Sequence, residues 1–149
     1  MYESKELNMG RAGQYIVLAD LLLKGLKTFP TSEGVNYDVV VDLNGKIIRL
    51  QVKTTRGKKI KSHCENPVYF FHLKRTGKFG KRIYQIGEFE AFALVALDIK
   101  KIFYLKFDRR IPTNSIVIRD KDIKYKTRGG RTTRLYWQDL TWEKLLSEL

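Results

Sequence analysis

The stretch that most constrains the fold is residues 36–54, NYDVVVDLNGKIIRLQVKT. Asn44-Gly45 stands between two runs of aliphatic residues. A two-residue type I′ turn needs positive φ at both central positions, which Asn and Gly tolerate best. The stretch therefore reads as a β-hairpin. Counting outward from the turn opposes Leu43 to Lys46, Val41 to Ile48 and Val39 to Leu50. The next pairs are Asp38 with Gln51, Tyr37 with Val52 and Asn36 with Lys53. Side chains alternate faces along a strand. One face collects Val39, Val41, Leu43, Ile48, Leu50 and Val52, a core face. The other collects Asp38, Val40, Arg49, Gln51 and Lys53. A carboxylate, a carboxamide and an ammonium therefore converge where opposed Cβ atoms stand about 4.5–5.5 Å apart.

A chain of 149 residues fits one domain, residues 1–149, large enough to bury a core without staples. Its formal net charge of +13, from 29 Lys and Arg against 16 Asp and Glu, points to a polyanionic partner. Nucleic acid fits better than an anionic membrane surface, and a merely soluble basic protein is the bland alternative. Cys64 is the single cysteine, which excludes an internal disulfide and agrees with a cytoplasmic setting. His63 beside it, with His72, falls short of the roughly four ligands of a structural zinc site. No signal-peptide pattern is read. The longest apolar run, Ala19 to Leu26, is broken by Asp20, Lys24 and Gly25, so no membrane span is expected.

Around the hairpin, residues 4–25 read as a helix capped by Ser4 or Asn8 and stopped by Gly25. Ala12, Tyr15, Ile16, Ala19, Leu22, Leu23 and Leu26 form its expected buried face. Gly10 and Gly13 imply close backbone approach, and Gln14 follows at the edge of that face. Residues 27–29 form a short strand before Pro30. Residues 55–66 form a loop carrying Arg56, Lys58, Lys59 and Lys61. Strands are expected at 68–73, 91–97 and 102–107. Residues 74–82 read as a turn region with two glycines and five basic residues. Pro112 and Asn114 mark another loop. A helix over 141–149, N-capped by Thr141 and stapled by Leu140 and Leu145, packs on the core or on a partner subunit.

A second hairpin is expected over residues 122–137, DIKYKTRGGRTTRLYW, turning at Gly129-Gly130. It opposes Arg128 to Arg131 and Tyr125 to Arg134, and puts Lys124, Lys126 and Arg128 on one face. Like charges opposed across strands destabilise a free ribbon. Phosphates or base edges would neutralise it, and a two-stranded ribbon fits the DNA major groove. A solvated, loosely ordered hairpin is the alternative. The candidate DNA contacts are Lys124, Lys126, Arg128, Arg131 and Arg134, with Arg56 and Lys58 near the scissile phosphate.

At the first hairpin, Asp38, Gln51 and Lys53 are the groups needed to cut a phosphodiester with a divalent ion. Magnesium takes hard oxygen ligands and keeps several waters. Asp38, the Gln51 amide oxygen and the Val52 carbonyl would be the metal ligands. Lys53 would orient or deprotonate the attacking water and stabilise developing charge. The alternative is a surface Asp–Lys pair worth little.

The run Gly10-Arg11-Ala12-Gly13-Gln14, then Tyr37-Asp38, then Gln51-Val52-Lys53, resembles the PD-(D/E)XK nuclease superfamily. It looks most like homing endonucleases of bacterial group I introns that use this fold. The resemblance is specific over residues 8–54. It implies an α/β core, a mixed sheet flanked by helices with the basic ribbon added. It also implies Mg2+-dependent double-strand cleavage, with Mn2+ able to substitute. The expected partner is double-stranded DNA, bound at a long pseudo-palindromic site by a homo-oligomer. Asp38, Gln51 and Lys53 match the metal ligand, the acid-or-Gln position and the catalytic lysine. Gln14 stands where this family commonly has Glu, so Asp38 is the only motif carboxylate and weakened or absent cleavage is expected. A Holliday-junction resolvase-like nuclease and a DNA-binding module that has lost catalysis are the alternatives.

Overall fold

A computed structural model of the chain describes residues 4–61, 66–77, 80–125 and 134–149. Helix α1 spans Lys5–Leu23. The Ser4 hydroxyl accepts from the Leu7 N–H at 3.2 Å and caps its start. At its end Gly25 takes φ +80°, and the N–H groups of Gly25 and Leu26 donate to the carbonyls of Leu22 and Leu21. This is a Schellman closure, and it explains the glycine there.

The buried face of α1 differs from the expected one. Gly13, Val17 and Leu21 are buried, whereas Tyr15, Leu22 and Leu23 are exposed. The helix carries apolar residues nearly all round, so periodicity does not choose a side. Gly13 chooses it: a Cβ there would stand 1.9 Å from Thr54 Oγ1. Only a glycine-notched face lets the helix lie so close.

The central sheet has the order β1-β2-β3-β7-β8. Its strands are β1 (Lys27–Pro30), β2 (Val39–Leu43), β3 (Lys46–Thr55), β7 (Ala91–Ala96) and β8 (Lys101–Lys106). Strand β3 pairs parallel with β7, and the other pairings are antiparallel. The hairpin register is the expected one from Leu43↔Lys46 to Val39↔Leu50. Asn44 at φ +52° and Gly45 at φ +98° make its turn, with the Gly45 N–H donating to Asp42 Oδ1 at 2.7 Å.

Beyond Val39 the register departs from the count. The Asp38 N–H donates to the Leu50 carbonyl at 2.8 Å, its carbonyl accepts from Thr31, and the ladder stops. Asp38–Gln51, Tyr37–Val52 and Asn36–Lys53 are therefore not ladder pairs. The bend turns the Asp38 carboxylate toward the β3 backbone.

Both faces of the sheet are covered. One carries Val39, Val41, Ile48, Leu50, Val52, Ala91, Ala93 and Val95 against Val17 and Leu21 of α1 and Trp142 and Leu145 of α2 (Trp142–Glu148). The other carries Phe92, Leu94, Ala96, Phe103 and Leu105 against Tyr69, Phe71, Ile116 and Ile118. The latter come from a two-stranded sheet of β4 (Tyr69–His72) and β9 (Ser115–Ile118). Strand β9 lies where only a loop was expected. Helix α2 packs on the core, its Trp142 edge-on to Tyr104 with ring centres 5.2 Å apart, and the Thr141 hydroxyl caps it. The expected turn at 74–82 is a small hairpin, β5 (Arg75–Gly77) and β6 (Gly80–Arg82).

The expected basic ribbon is not found in its described parts. Residues 126–133, with Lys126, Arg128, Gly129, Gly130 and Arg131, lie outside the described residues, as do His63 and Cys64. Residues 122–125 form no strand, Trp137–Asp139 is a 3-10 turn, and Tyr136 bridges Arg119. Tyr125 does not face Arg134 in a ladder. Its hydroxyl donates to the Pro67 carbonyl at 3.0 Å and its ring lies beneath the Arg119 guanidinium. No described helix is long and apolar enough to cross a membrane.

Candidate active site

The bend at Asp38 builds the site. Leaving the ladder, the side chain reaches the neighbouring strand, and Asp38 Oδ2 accepts the Val52 N–H at 2.9 Å. The Val52 N–H, which a continued ladder would have given to the Tyr37 carbonyl, is met by the Asp38 carboxylate instead. Burial is the largest influence on this carboxyl and raises its pKa. The Val52 N–H, Lys53 and Arg75 act in the opposite direction.

Gln51 is buried beside it, its Nε2 directed at the Val52 carbonyl at 3.4 Å. Amide N and O are assigned from their hydrogen-bond partners, and half a turn of this carboxamide presents its oxygen. Lys53 is half-buried. Its ammonium donates to the Lys74 carbonyl at 3.3 Å and lies 5.1 Å from the centre of the Tyr84 ring. Burial lowers the Lys53 pKa; Asp38 opposes that shift and Arg75 adds to it. Tyr84 is pushed up to about 12, by burial first and then by Asp38. The site thus holds its acid and its base away from water, each pushed toward its neutral form.

Gln14 is half-buried, one residue after the Gly13–Thr54 contact, and Thr54 directly follows Lys53 in β3. The close approach of α1 therefore sets where Gln14 stands relative to the lysine. Thr54 Oγ1 is buried with no partner among the described residues, so this contact is steric rather than hydrogen-bonded.

Three oxygens are available for a divalent cation: the Asp38 carboxylate, the Gln51 amide and the Val52 carbonyl. They fit a hard cation that retains waters. Their combined charge is one carboxylate, and no group of three or more His, Cys, Asp or Glu occurs among the described residues. The nearby acids are committed elsewhere. Glu90 takes Arg49 through both oxygens, at 2.7 and 3.1 Å. Glu88 takes Asn36 and Arg82, at 2.8 and 2.7 Å.

The expected DNA contacts among the described residues do not gather here. Lys58 is paired with Asp120 at 3.4 Å and lies over Tyr69, which places it against the β4–β9 layer. Arg56 is exposed just past the end of β3. Lys124 is exposed, and Arg134 lines a cavity of about 670 Å³ with Lys106, Arg110 and Lys144. The structure instead brings Arg75 to Asp38 and Lys53. The signal for it was present in the basic, glycine-containing run at 74–82. What the sequence lacked was any mark that the run folds back over the first hairpin.

Comparison with known proteins supports the family and the fold. The chain is similar in structure to a bacterial homing endonuclease, I-Ssp6803I, at TM-score 0.65 and 16% identity. The match covers 99% of this chain and 94% of that one. No curated protein sequence matches. A family model for PD-(D/E)XK endonucleases matches residues 4–138, nearly the whole described fold. With its helix, Asp-bearing bend and Gln-Val-Lys strand in that family's order, the chain belongs to the PD-(D/E)XK endonucleases.

Proposed function

We propose that this protein is a site-specific DNA endonuclease of homing type, making Mg2+-dependent double-strand cuts at a long pseudo-palindromic site. The observation that carries this reading is the bend that aims Asp38 at Val52 while Gln51 and Lys53 stand beside it. Enzymes of this family generally use divalent metals. A bound ion supplies Lewis acidity and a water of lowered pKa. Asp38, Gln51 and Val52 would hold it, with Mn2+ an acceptable substitute.

Lys53 has two tasks. Burial lowers its pKa, which favours its role in taking a proton from the attacking water. Once protonated it offsets charge building on the phosphate. The Lys74 carbonyl and the Tyr84 ring hold it in place for both.

A homo-oligomer suits a pseudo-palindromic site. The apolar residues that α1 leaves exposed, Leu7 at 64%, Tyr15 at 69% and Leu22 at 55%, support self-association. The net charge of +13 supports duplex DNA as partner.

Gln14 and Gln51 favour a second reading, a DNA-binding module with little or no cleavage. A supercoiled plasmid carrying a site selected by binding in Ca2+, assayed in Mg2+ and in Mn2+, separates the two. The endonuclease reading expects slow nicking by this chain and faster nicking by Gln14→Glu, about tenfold or more, as a second carboxylate strengthens metal binding. No nicking by either protein at any concentration of either ion selects the binding module.

A further inference from the structure

Arg75 opens β5 and is the unexplained charge at the site. It is half-buried, yet it forms no ion pair among the described residues. Across the β5–β6 hairpin its partner is Arg82, and like charges so opposed repel. Glu88 neutralises Arg82 but not Arg75. Arg75 Nη1 donates instead to the Asn36 side-chain oxygen, a neutral partner, and Asn36 is held from its other end by Glu88. The Lys74 carbonyl accepts the Lys53 ammonium. The hairpin is therefore tied to the Asp38 strand through Asn36 and to the Gln51–Lys53 strand through Lys53.

A guanidinium has five donors, and Asn36 occupies few of them. Whether Asp38 and Lys53 are both charged or both neutral, Arg75 leaves the cluster with one net positive charge before any substrate or metal enters. Half-buried, with its Nη1 bonded to a neutral amide and Asp38 nearby, the guanidinium keeps donors that a further anion can take. A phosphodiester is such an anion. Its two non-bridging oxygens match the guanidinium fork, and their charge grows during attack on phosphorus.

We propose that Arg75 is a further catalytic residue, whose guanidinium, presented beside Asp38 and Lys53 by Asn36, binds the non-bridging oxygens of the scissile phosphate. This rests on the nuclease reading above and deepens it. In a site holding only one motif carboxylate, a fixed cation takes over part of the charge stabilisation. Asn36 is a positioning residue that keeps the fork aimed.

The test uses the full chain carrying Gln14→Glu as parent, a supercoiled plasmid carrying a site selected by binding in Ca2+ as substrate in Mg2+, and binding of a 30-bp duplex holding that site in Ca2+ as a separate readout. Arg75→Ala should nick about 10²–10³-fold more slowly than the parent, the range for losing one donor to a developing oxyanion. Duplex affinity should change by less than about threefold, since one phosphate contact among many is lost. Arg75→Lys should recover part of the rate. Added guanidinium ion should raise nicking by Arg75→Ala and leave Lys53→Ala unchanged, a rescue that repair of a structural defect would not produce. Equal nicking by Arg75→Ala and parent overturns the assignment and leaves the nuclease reading intact. Slowing that neither lysine nor guanidinium relieves also overturns it, by making Arg75 a structural clasp. No nicking by the parent overturns both.

Discussion

The two faces of the central sheet are built for different purposes. The face under α1 and α2 is aliphatic and uncharged: Val39, Val41, Ile48, Leu50, Ala91, Ala93 and Val95 are all fully buried. The face under β4 and β9 is aromatic, with Tyr69, Phe71, Phe92 and Phe103 packed edge-to-face. On the first face the polar groups are few, Thr54 under α1 and the Tyr104 hydroxyl bonded to Asp20, whereas those of the candidate site are concentrated at one edge of the second. Asp38, Gln51, Lys53, Arg75 and Tyr84 sit there at the mouth of an apolar layer. Low polarity beneath them strengthens their interactions and also raises the cost of their charges. One face holds the sheet together, and the other carries the candidate site at its edge.

That division can be broken by experiment. Lys53→Ala should lower nicking by about 10³-fold or more, the loss expected of a proton-transfer group, while thermal melting moves little. Leu50→Ala, on the aliphatic face, should do the reverse. It should cost about 2–5 kcal/mol of stability, read by denaturant unfolding, while folded protein at low temperature keeps its cleavage. If Lys53→Ala melts like Leu50→Ala, the two faces do not divide the work.

Smaller effects sharpen the comparison where α1 meets the sheet. Gly13→Ala should destabilise by about 1–3 kcal/mol, because its new Cβ drives into Thr54. Thr54→Ala should cost no hydrogen bond and should relieve part of the Gly13→Ala penalty, so a double-mutant cycle should show coupling. Asn44→Ala should cost about 1 kcal/mol by straining a left-handed turn position, with cleavage unchanged.

The smallest effect is electrostatic. The folded-state pKa of Asp38 is raised, chiefly by burial. Its contribution to stability is therefore fully present below the unfolded value near 3.8 and is lost as pH rises through the folded value. Lys53 is lowered, so it weakens the fold on the protonated side. Asp38→Asn should remove the Asp38 component and flatten the fall of stability between acid and neutral pH. A pH series of urea melts measures it, and an unchanged slope would remove burial as the cause of the shift.

Much of the first hairpin was legible because its determinants are local. Asn44-Gly45 fixes the turn, and the period of two fixes faces for Val39 to Leu43 and Lys46 to Leu50. Asp38, Gln51 and Lys53 came together as the alternation required, although Asp38 arrives through a bend rather than a ladder pair. Counting residues cannot foresee that bend, since it depends on Thr31 bonding to the Asp38 carbonyl. The described ends of the ribbon expected at 122–137 differ for a related reason. Basic runs flanking Gly-Gly satisfy a local hairpin rule, but Tyr125 and Tyr136 find their partners at Pro67 and Arg119 instead.

By itself, then, the sequence determined the turn, the register, the basic charge and the Asp, Gln-x-Lys order that marks the family. These depend on neighbours within about twenty residues, where backbone geometry leaves few choices. Tertiary structure decided which side of α1 is buried, that Lys58 belongs to Asp120, and that Arg75 stands beside Asp38. Those outcomes depend on contacts such as Asn36 with Glu88, 52 residues apart, and Lys53 with Lys74, 21 apart. They rest on which distant surfaces pack best, and an apolar helix or a basic run is compatible with several.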